Sequence, residues 1–137
     1  MASALLERRL PVFIRLFIIT ALACSAALAK GAIVINEIHH DPDVKTELAE
    51  FIELHNSGAE QVDLGGWKIE GGGAFTFPHG TRLDGGAFVV VAHDPAQFKA
   101  KFGGSPLGPW LGKLDNDGER IELRDVTGQL MDRVRYR

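Results

Sequence analysis

The stretch "EFIELHNSGAEQVDLGGW", residues 50–67, joins two strand patterns through a polar loop and a glycine turn. Ile52 and Leu54 alternate with polar residues, which predicts a strand with one apolar face and one polar face. Gly65-Gly66 predicts a tight turn, after which Trp67 opens another strand. An aromatic residue in this place is expected to belong to the core.

Similar short patterns follow one another along the rest of the chain, and Gly, Asp and Asn turns separate them. Short strands at this spacing predict an all-β fold, either a sandwich or a barrel. The predicted strands are 32–38, 50–56, 62–64, 67–70, 75–77, 81–83, 87–93, 119–125 and 130–137.

Strand alternation also predicts which side chains form the core. The run "AFVVVAH", residues 87–93, is the most continuous apolar stretch of the predicted strands, so we expect a central strand buried on both faces. Asp63 precedes the glycine turn, and we expect its carboxylate to accept backbone N–H bonds there. The predicted core consists of Ile52, Leu54, Trp67, Phe88, Val90, Ile121, Leu123, Val134 and Tyr136.

One short helix is predicted from its end signals. Asp94 suits the N-cap and Pro95 the first helical position. Phe98 and Phe102 are four residues apart and share a face, and the Gly-Gly pair that follows can end the helix. We expect the two phenylalanines to cover an open end of the sandwich.

Residues 1–29 have the layout of a secretory signal peptide. Three arginines come first, an apolar run from Leu16 to Ala29 follows, and the run ends in the small-x-small pattern Ala27-Leu28-Ala29. The run has 14 residues, whereas a membrane-spanning helix needs about 20. We therefore expect cleavage after residue 29 and no stable membrane span in the mature domain, residues 30–137.

Two alternatives remain open for this segment. It could stay attached as an uncleaved anchor whose arginine-rich side remains in the cytoplasm. Cys24 could also carry a lipid, although a bacterial lipoprotein usually has a Leu-like residue where this chain has Ala21.

The composition of the mature domain excludes some classes of protein. Three of the 15 basic residues and one of the 18 acidic residues lie in residues 1–29, so residues 30–137 carry a net charge of −5. The single cysteine, Cys24, is also lost, so no disulfide stabilises the domain. The acidic balance argues against nucleic-acid binding, which depends on neutralising phosphates.

The order of motifs from about Ile33 to Tyr136 resembles the lamin tail domain. The resemblance is carried by "IVINEIHHDPD", "AEFIELHNSGAEQVDLGGWKIEGG", "FTFPHGTRLDGGAFVVVAHDPAQFKAKFG", "LDNDGERIELRD" and "GQLMDRVRYR". It implies an immunoglobulin-like β-sandwich without catalytic residues. Behind a signal peptide, the chain is similar to bacterial exported members of the family. Those members are regarded as adhesion, scaffolding or targeting modules.

The stretch "NEIHHDPD", residues 36–43, concentrates side chains that could bind a metal or carry protons. Alternation along a strand points His39 and His40 to opposite faces, so the two cannot share one zinc ion unless the strand breaks between them. A pair of Glu37 and His39 lacks the three protein ligands that a catalytic zinc needs. We expect a strand end and a turn at Asp41-Pro42-Asp43 and no metal site.

The stretch "LDNDGE", residues 114–119, invites a comparison with calcium-binding loops. Aligning Asp115 and Asp117 with an EF-hand loop puts Lys113 and Arg124 at ligand positions, where neither can bind calcium. We expect an Asx and glycine hairpin turn instead.

The chain ends in "RVRYR", where alternation places Arg133, Arg135 and Arg137 on one strand face. A solvated face that discourages edge pairing is the usual meaning of such a pattern. The alternative is a candidate surface for an anionic partner.

These observations predict an exported, non-enzymatic interaction or tethering module, with no catalytic, cofactor-binding or metal-binding residues. The expected partner is an unidentified protein or cell-surface polymer, and the expected location is secreted or in the cell envelope. The rival hypothesis is a metal-dependent hydrolase outside the cytoplasm, or an accessory domain of one, that uses the loop at residues 37–43.

Overall fold

The computed structural model describes residues 32–40 and 49–137. The predicted signal segment with Cys24 and the predicted turn at residues 41–43 lie outside the described residues. The strands are β1 (Ile33–His39), β2 (Phe51–Asn56), β3 (Val62–Asp63), β4 (Lys68–Glu70), β5 (Gly73–Thr76), β6 (Arg82–Leu83), β7 (Phe88–Ala92), β8 (Leu111–Gly112), β9 (Arg120–Arg124) and β10 (Leu130–Arg135), and the helix is α1 (Pro95–Phe102).

The strands form two main sheets with a core between them. One sheet has three strands in the order β1-β2-β7, and the other has five in the order β10-β9-β4-β5-β8. All neighbours within the two sheets are antiparallel, and β3 and β6 form a separate short pair. The predicted immunoglobulin-like β-sandwich is confirmed.

The core draws side chains from both sheets, as the alternation predicted. Ile52, Leu54, Trp67, Ile121 and Leu123 are buried in one cluster, and Val134 and Tyr136 pack against it while half-buried. Burying one large apolar side chain contributes about 1.5–3 kcal/mol. Nine further buried members of this cluster were not in the predicted core, namely Ile33, Ile35, Leu64, Ile69, Phe77, Leu83, Val91, Trp110 and Leu114.

The prediction that residues 87–93 form a central strand is wrong. Strand β7 lies at the edge of the three-stranded sheet, and Phe88 at its start is 53% exposed. Val90 packs with Phe51, Ala92 and Phe98 rather than with the main core. Helix α1 covers the outer face of β7 at the end of the strand near Ala92. Both faces of this edge strand are therefore apolar, which is the sequence pattern expected of a central strand.

Helix α1 begins and ends as predicted but lies elsewhere. The Asp94 carboxylate accepts the N–H groups of Ala96 and Gln97 at 2.9 and 3.1 Å, and Gly103 ends the helix with φ 78°. Phe98 packs against Phe51 on the outer face of the three-stranded sheet, with ring centroids 5.2 Å apart. The helix therefore covers a sheet face, because Phe51 points away from the main core.

Asn56 holds the end of β2 to two loops. Its side chain is fully buried, and its amide N–H groups donate to the carbonyl oxygens of Glu60 and Leu83 at 2.8 and 3.0 Å. Its side-chain oxygen accepts the N–H of Gly58 at 3.0 Å. Gly85 lies against the backbone of this loop, so a Cβ at residue 85 would collide with Ala59. The side chain of Asn56 thus provides hydrogen-bond partners for backbone groups of the loop that have no partner in a sheet.

Asp132 joins the edges of the two sheets. Its carboxylate accepts the backbone N–H of Ile35 on β1 at 2.7 Å, although β1 and β10 belong to different sheets. Both strands carry a register shift close to this bond, between Ile35 and Glu37 in β1 and between Leu130 and Asp132 in β10. Such bulges redirect a strand and strengthen its twist, which lets the two edges meet.

Replacing Asn56 with Ala should lower the free energy of unfolding by about 2–3 kcal/mol, because buried carbonyl groups lose their donor. Urea denaturation followed by circular dichroism measures the loss. Asn36→Ala is the matched control, since Asn36 is exposed and its side chain donates one bond, to Glu53 at 2.8 Å. That control should stay within about 0.5 kcal/mol of the parent. Equal losses in the two variants would contradict the role given to Asn56.

Candidate functional site

The outer face of the five-stranded sheet carries the arginines that the sequence analysis selected. Ile121 and Leu123 point inward from β9, so their neighbours point outward. On β10, Arg133 and Arg135 are exposed while Val134 packs against the core. The face predicted for these arginines is therefore the solvent face, and Arg137 beyond the strand is exposed too.

Arg133 belongs to a compensated group of charges. Its guanidinium lies 2.9 Å from the Glu122 carboxylate on β9. Arg124 contacts the same carboxylate at 2.5 Å and reaches Glu70 on β4 at 3.2 Å. The hydrogen bond from Arg124, with a further contribution from Arg133, lowers the pKa of Glu122. Arg133 is thus held by an acid partner within the sheet.

Arg135 has different surroundings. The register places it directly opposite Arg120 of β9, and both side chains are exposed. Among the described residues, neither guanidinium has an acid within ion-pair distance. Arg120 was missed in the sequence analysis, because its position opposite Arg135 depends on the bulge in β10. The arrangement leaves two adjacent cationic side chains on one open surface.

The two histidines of "NEIHHDPD" contact different elements, as the alternation predicted. The His39 ring stacks on Phe51 with centroids 5.0 Å apart and meets the edge of Phe102 of α1 at 5.8 Å. The His40 ring lies 4.3 Å from Tyr136, beyond β10. One nitrogen of each ring, Nε2 of His39 and Nδ1 of His40, is buried and has no hydrogen-bond partner among residues 32–40 and 49–137. Their arrangement is aromatic packing.

Within residues 32–40 and 49–137, no three His, Cys, Asp or Glu side chains come close enough together to hold a metal ion. Asp41 and Asp43 of the candidate loop lie outside this part of the chain, so the metal hypothesis for residues 37–43 stays a prediction to be tested. The Asn36 amide donates to Glu53, which ties one member of the motif to the neighbouring strand.

The loop at residues 114–119 forms an Asx turn, as predicted. The Asp115 side chain accepts the N–H of Asp117 at 2.9 Å, and its carbonyl accepts the N–H of Gly118 at 3.0 Å. The expected hairpin is wrong, since the loop joins β8 to β9 and these strands are not neighbours in the sheet. The Glu119 carboxylate accepts the N–H of Asp115 at 2.8 Å and lies 2.9 Å from the Tyr136 hydroxyl. These carboxylates organise the loop backbone.

Asp63 has the structural role that the sequence predicted for it. Its carboxylate accepts the N–H of Gly65 at 2.8 Å, at the turn before Trp67. Asp125 does the same in the β9–β10 turn, where it accepts the N–H groups of Thr127 and Gln129 at 2.8 and 2.9 Å. The hydrogen bond from the Thr127 hydroxyl is the main cause of the lowered pKa of Asp125. The lowered pKa makes the Asp125 carboxylate a weaker base than an ordinary aspartate.

A cleft of about 200 Å³ opens between β1 and β10, with Asn36, Glu37, Val134 and Tyr136 in its walls. The Tyr136 hydroxyl lies 2.9 Å from the Asp115 carbonyl. Burial, helped by the contact with Glu119, raises the pKa of this hydroxyl above its usual value. A protonated phenol held in this way supports the adjoining loop and is a poor proton acceptor.

The packing of His39 should make the stability of the protein depend on pH. Burial is the main cause of the lowered pKa of His39, Lys101 and His40 lower it further, and Glu37 opposes them. The unfolded chain therefore binds the proton at a higher pH than the folded chain does. Stability should be complete above about pH 6.5 and fall as the pH drops through the folded-state pKa.

The variant His39→Phe keeps a ring on Phe51 but cannot take up a proton. Its midpoint of thermal unfolding should fall less between pH 7.5 and pH 5.5 than that of the parent, as differential scanning calorimetry would measure. His79→Gln, a change at an exposed histidine, should leave the parent's pH dependence in place. An unchanged pH dependence in His39→Phe would contradict the assignment.

Comparison with known proteins agrees with this fold. The pattern of the Lamin Tail Domain family matches residues 26–137. Lamin-C of Drosophila melanogaster is 40% identical over 81 residues, which cover 50% of this chain and 12% of that protein. The chain thus aligns with about an eighth of the length of this relative. Because the family pattern spans most of the chain, the protein belongs to the lamin tail domain family, a family of immunoglobulin-like interaction domains.

Proposed function

We propose that the protein is exported and acts outside the cytoplasm as a non-catalytic tethering module. The observation that carries the non-catalytic part of this proposal is the structural use of its carboxylates. Asp63, Asp94, Asp115 and Asp125 each accept backbone N–H groups at turns or at the helix start. The acidic side chains thus build the scaffold, and an open surface with unpaired arginines is left for contact with a partner.

The proposed export rests on the signal-like layout of residues 1–29, and the interaction role rests on the family. No helix in the described part of the chain has the length and apolar character needed to cross a membrane. The proposed partner is a protein or polymer at the cell surface, because such a partner would be present where the module is released.

Export can be tested by fusing residues 1–30 to an alkaline phosphatase that is active only outside the bacterial cytoplasm. We expect activity, and N-terminal sequencing of the processed product should begin at Lys30. The control Ile18→Asp/Ile19→Asp places two charges in the apolar run and should abolish activity. An inactive fusion protein that stays in the cytoplasm, or a membrane-bound product that keeps residues 1–29, would contradict the proposal.

The rival metal-dependent activity predicts a different response to metal ions. A ligand that binds only the folded state raises the midpoint of unfolding. For the tethering module, the midpoint of the purified protein should be the same with Ca²⁺, with Zn²⁺ and with EDTA. A rise with either ion that His39→Phe removes would favour the hydrolase hypothesis.

A further inference from the structure

The pair of Arg120 and Arg135 is unfavourable for the isolated domain. Residues directly opposite in an antiparallel pair have Cβ atoms about 5 Å apart, and like charges there are destabilising. The two strands are held in this register by the neighbouring pairs Val134–Ile121 and Arg133–Glu122. The repulsion is therefore built into the hairpin and cannot be relieved by moving one strand.

A pair of like charges at neighbouring positions on the same face is neutralised within the protein. Glu70 and Glu122 are also direct neighbours across β4 and β9, but Arg124 contacts both carboxylates. Arg133 adds a second cation to Glu122. Like charges elsewhere on this face thus share a counter-ion within the protein, whereas Arg120 and Arg135 have none among the described residues.

The nearest acid in sequence is directed elsewhere. Glu119 precedes Arg120, but its carboxylate accepts the N–H of Asp115 and contacts the Tyr136 hydroxyl on the other side of the strand. It therefore does not lie on the face that holds the arginines. The described residues therefore supply no counter-ion for the pair.

We propose that Arg120 and Arg135 bind the phosphate groups of a phosphate-bearing polymer, with Arg137 as a further contact along the same strand direction. This proposal names the chemistry of the partner and rests on the proposed function of a tethering module. A guanidinium is a planar fork that pairs through two parallel hydrogen bonds. The two oxygens of a carboxylate suffice for one guanidinium, whereas a phosphate group has further oxygens that can bind a second guanidinium beside the first.

The open position of the arginines favours a polymer over a single small anion. One exposed ion pair contributes little to binding, so a lone phosphate would bind weakly. Residues two apart on a strand lie about 7 Å from each other, which gives successive anionic groups separate contacts. Linked contacts raise the affinity through a high effective concentration.

A flexible single chain also suits the surface better than a duplex. The basic region is narrow, because Glu70 and Glu122 lie on the same face on one side of it. Exposed Asp115 and Asp117 lie in the loop that leads into β9. A wide duplex would bring further phosphates against these carboxylates, whereas a thin chain can follow β10.

The test uses full-length protein and long-chain inorganic polyphosphate as the probe, with isothermal titration calorimetry at low and moderate salt. We expect binding that weakens as salt rises, because phosphate contacts release counter-ions. The double variant Arg120→Gln/Arg135→Gln should bind about tenfold more weakly. The matched control Arg82→Gln removes an exposed arginine on β6 and should bind as the parent does.

A second variant separates loss of binding from loss of folding. Arg135→Glu places an acid opposite Arg120, so it should raise the midpoint of thermal unfolding while weakening polyphosphate binding. A merely structural role for the pair would not combine these two effects. Equal weakening by Arg82→Gln, unchanged binding in the double variant, or equal affinity for poly-L-glutamate or duplex DNA would each overturn the proposal.

The two proposals fail in different ways. A cytoplasmic reporter together with arginine-dependent polyphosphate binding would remove the exported tethering function and leave the phosphate site intact. An active reporter without polyphosphate binding would remove the phosphate site alone.

Discussion

The fully buried amide of Asn56 is the constraint on which the arrangement of the sandwich depends. A buried amide without partners would cost several kcal/mol, so its position is acceptable only where each polar group finds a partner. Its backbone also takes part, since its N–H donates to Ala87 and its carbonyl accepts the N–H of Gly86. One residue therefore connects the end of β2 to the following loop, to β6 through Leu83 and to the start of β7. The three-stranded sheet and the β3–β6 pair are positioned together as a result.

The five-stranded sheet shows a separate constraint, which comes from the bulge in β10. Side chains alternate along a strand, so one extra residue reverses the face of everything beyond it. The pairing of Leu130 with Arg124 would continue to Arg133 and Ile121 if the bulge were absent, whereas Arg133 in fact pairs with Glu122. The bulge thus turns the arginines to solvent and Val134 to the core. The same shift produces both a compensated pair and the uncompensated pair of Arg120 and Arg135.

Much of the fold could be predicted from the sequence, because alternation and turn residues act locally. Asp94, Asp63 and the 114–119 turn have the local bonds that their residue types predicted. The failures concern relations between distant segments. Phe88 was predicted to be a core residue because the sequence does not show that α1 covers only the far end of β7 and leaves Phe88 exposed. Arg120 escaped notice because a bulge sets its partner. The packing of His39 on α1 was likewise invisible, since the helix follows it by more than fifty residues.

Net charge was a weaker guide than the local placement of charges. Several carboxylates of the described residues, among them Asp63, Asp115 and Asp125, bind backbone N–H groups at turns, while exposed arginines lie on a sheet face. At physiological salt, charges separated by more than about 8 Å are largely screened from each other. A partner in contact with β10 therefore responds mainly to the arginines there, and the overall charge acts mainly on its approach from a distance. An acidic domain can in this way present a basic surface, and the placement of its carboxylates is what makes the two compatible.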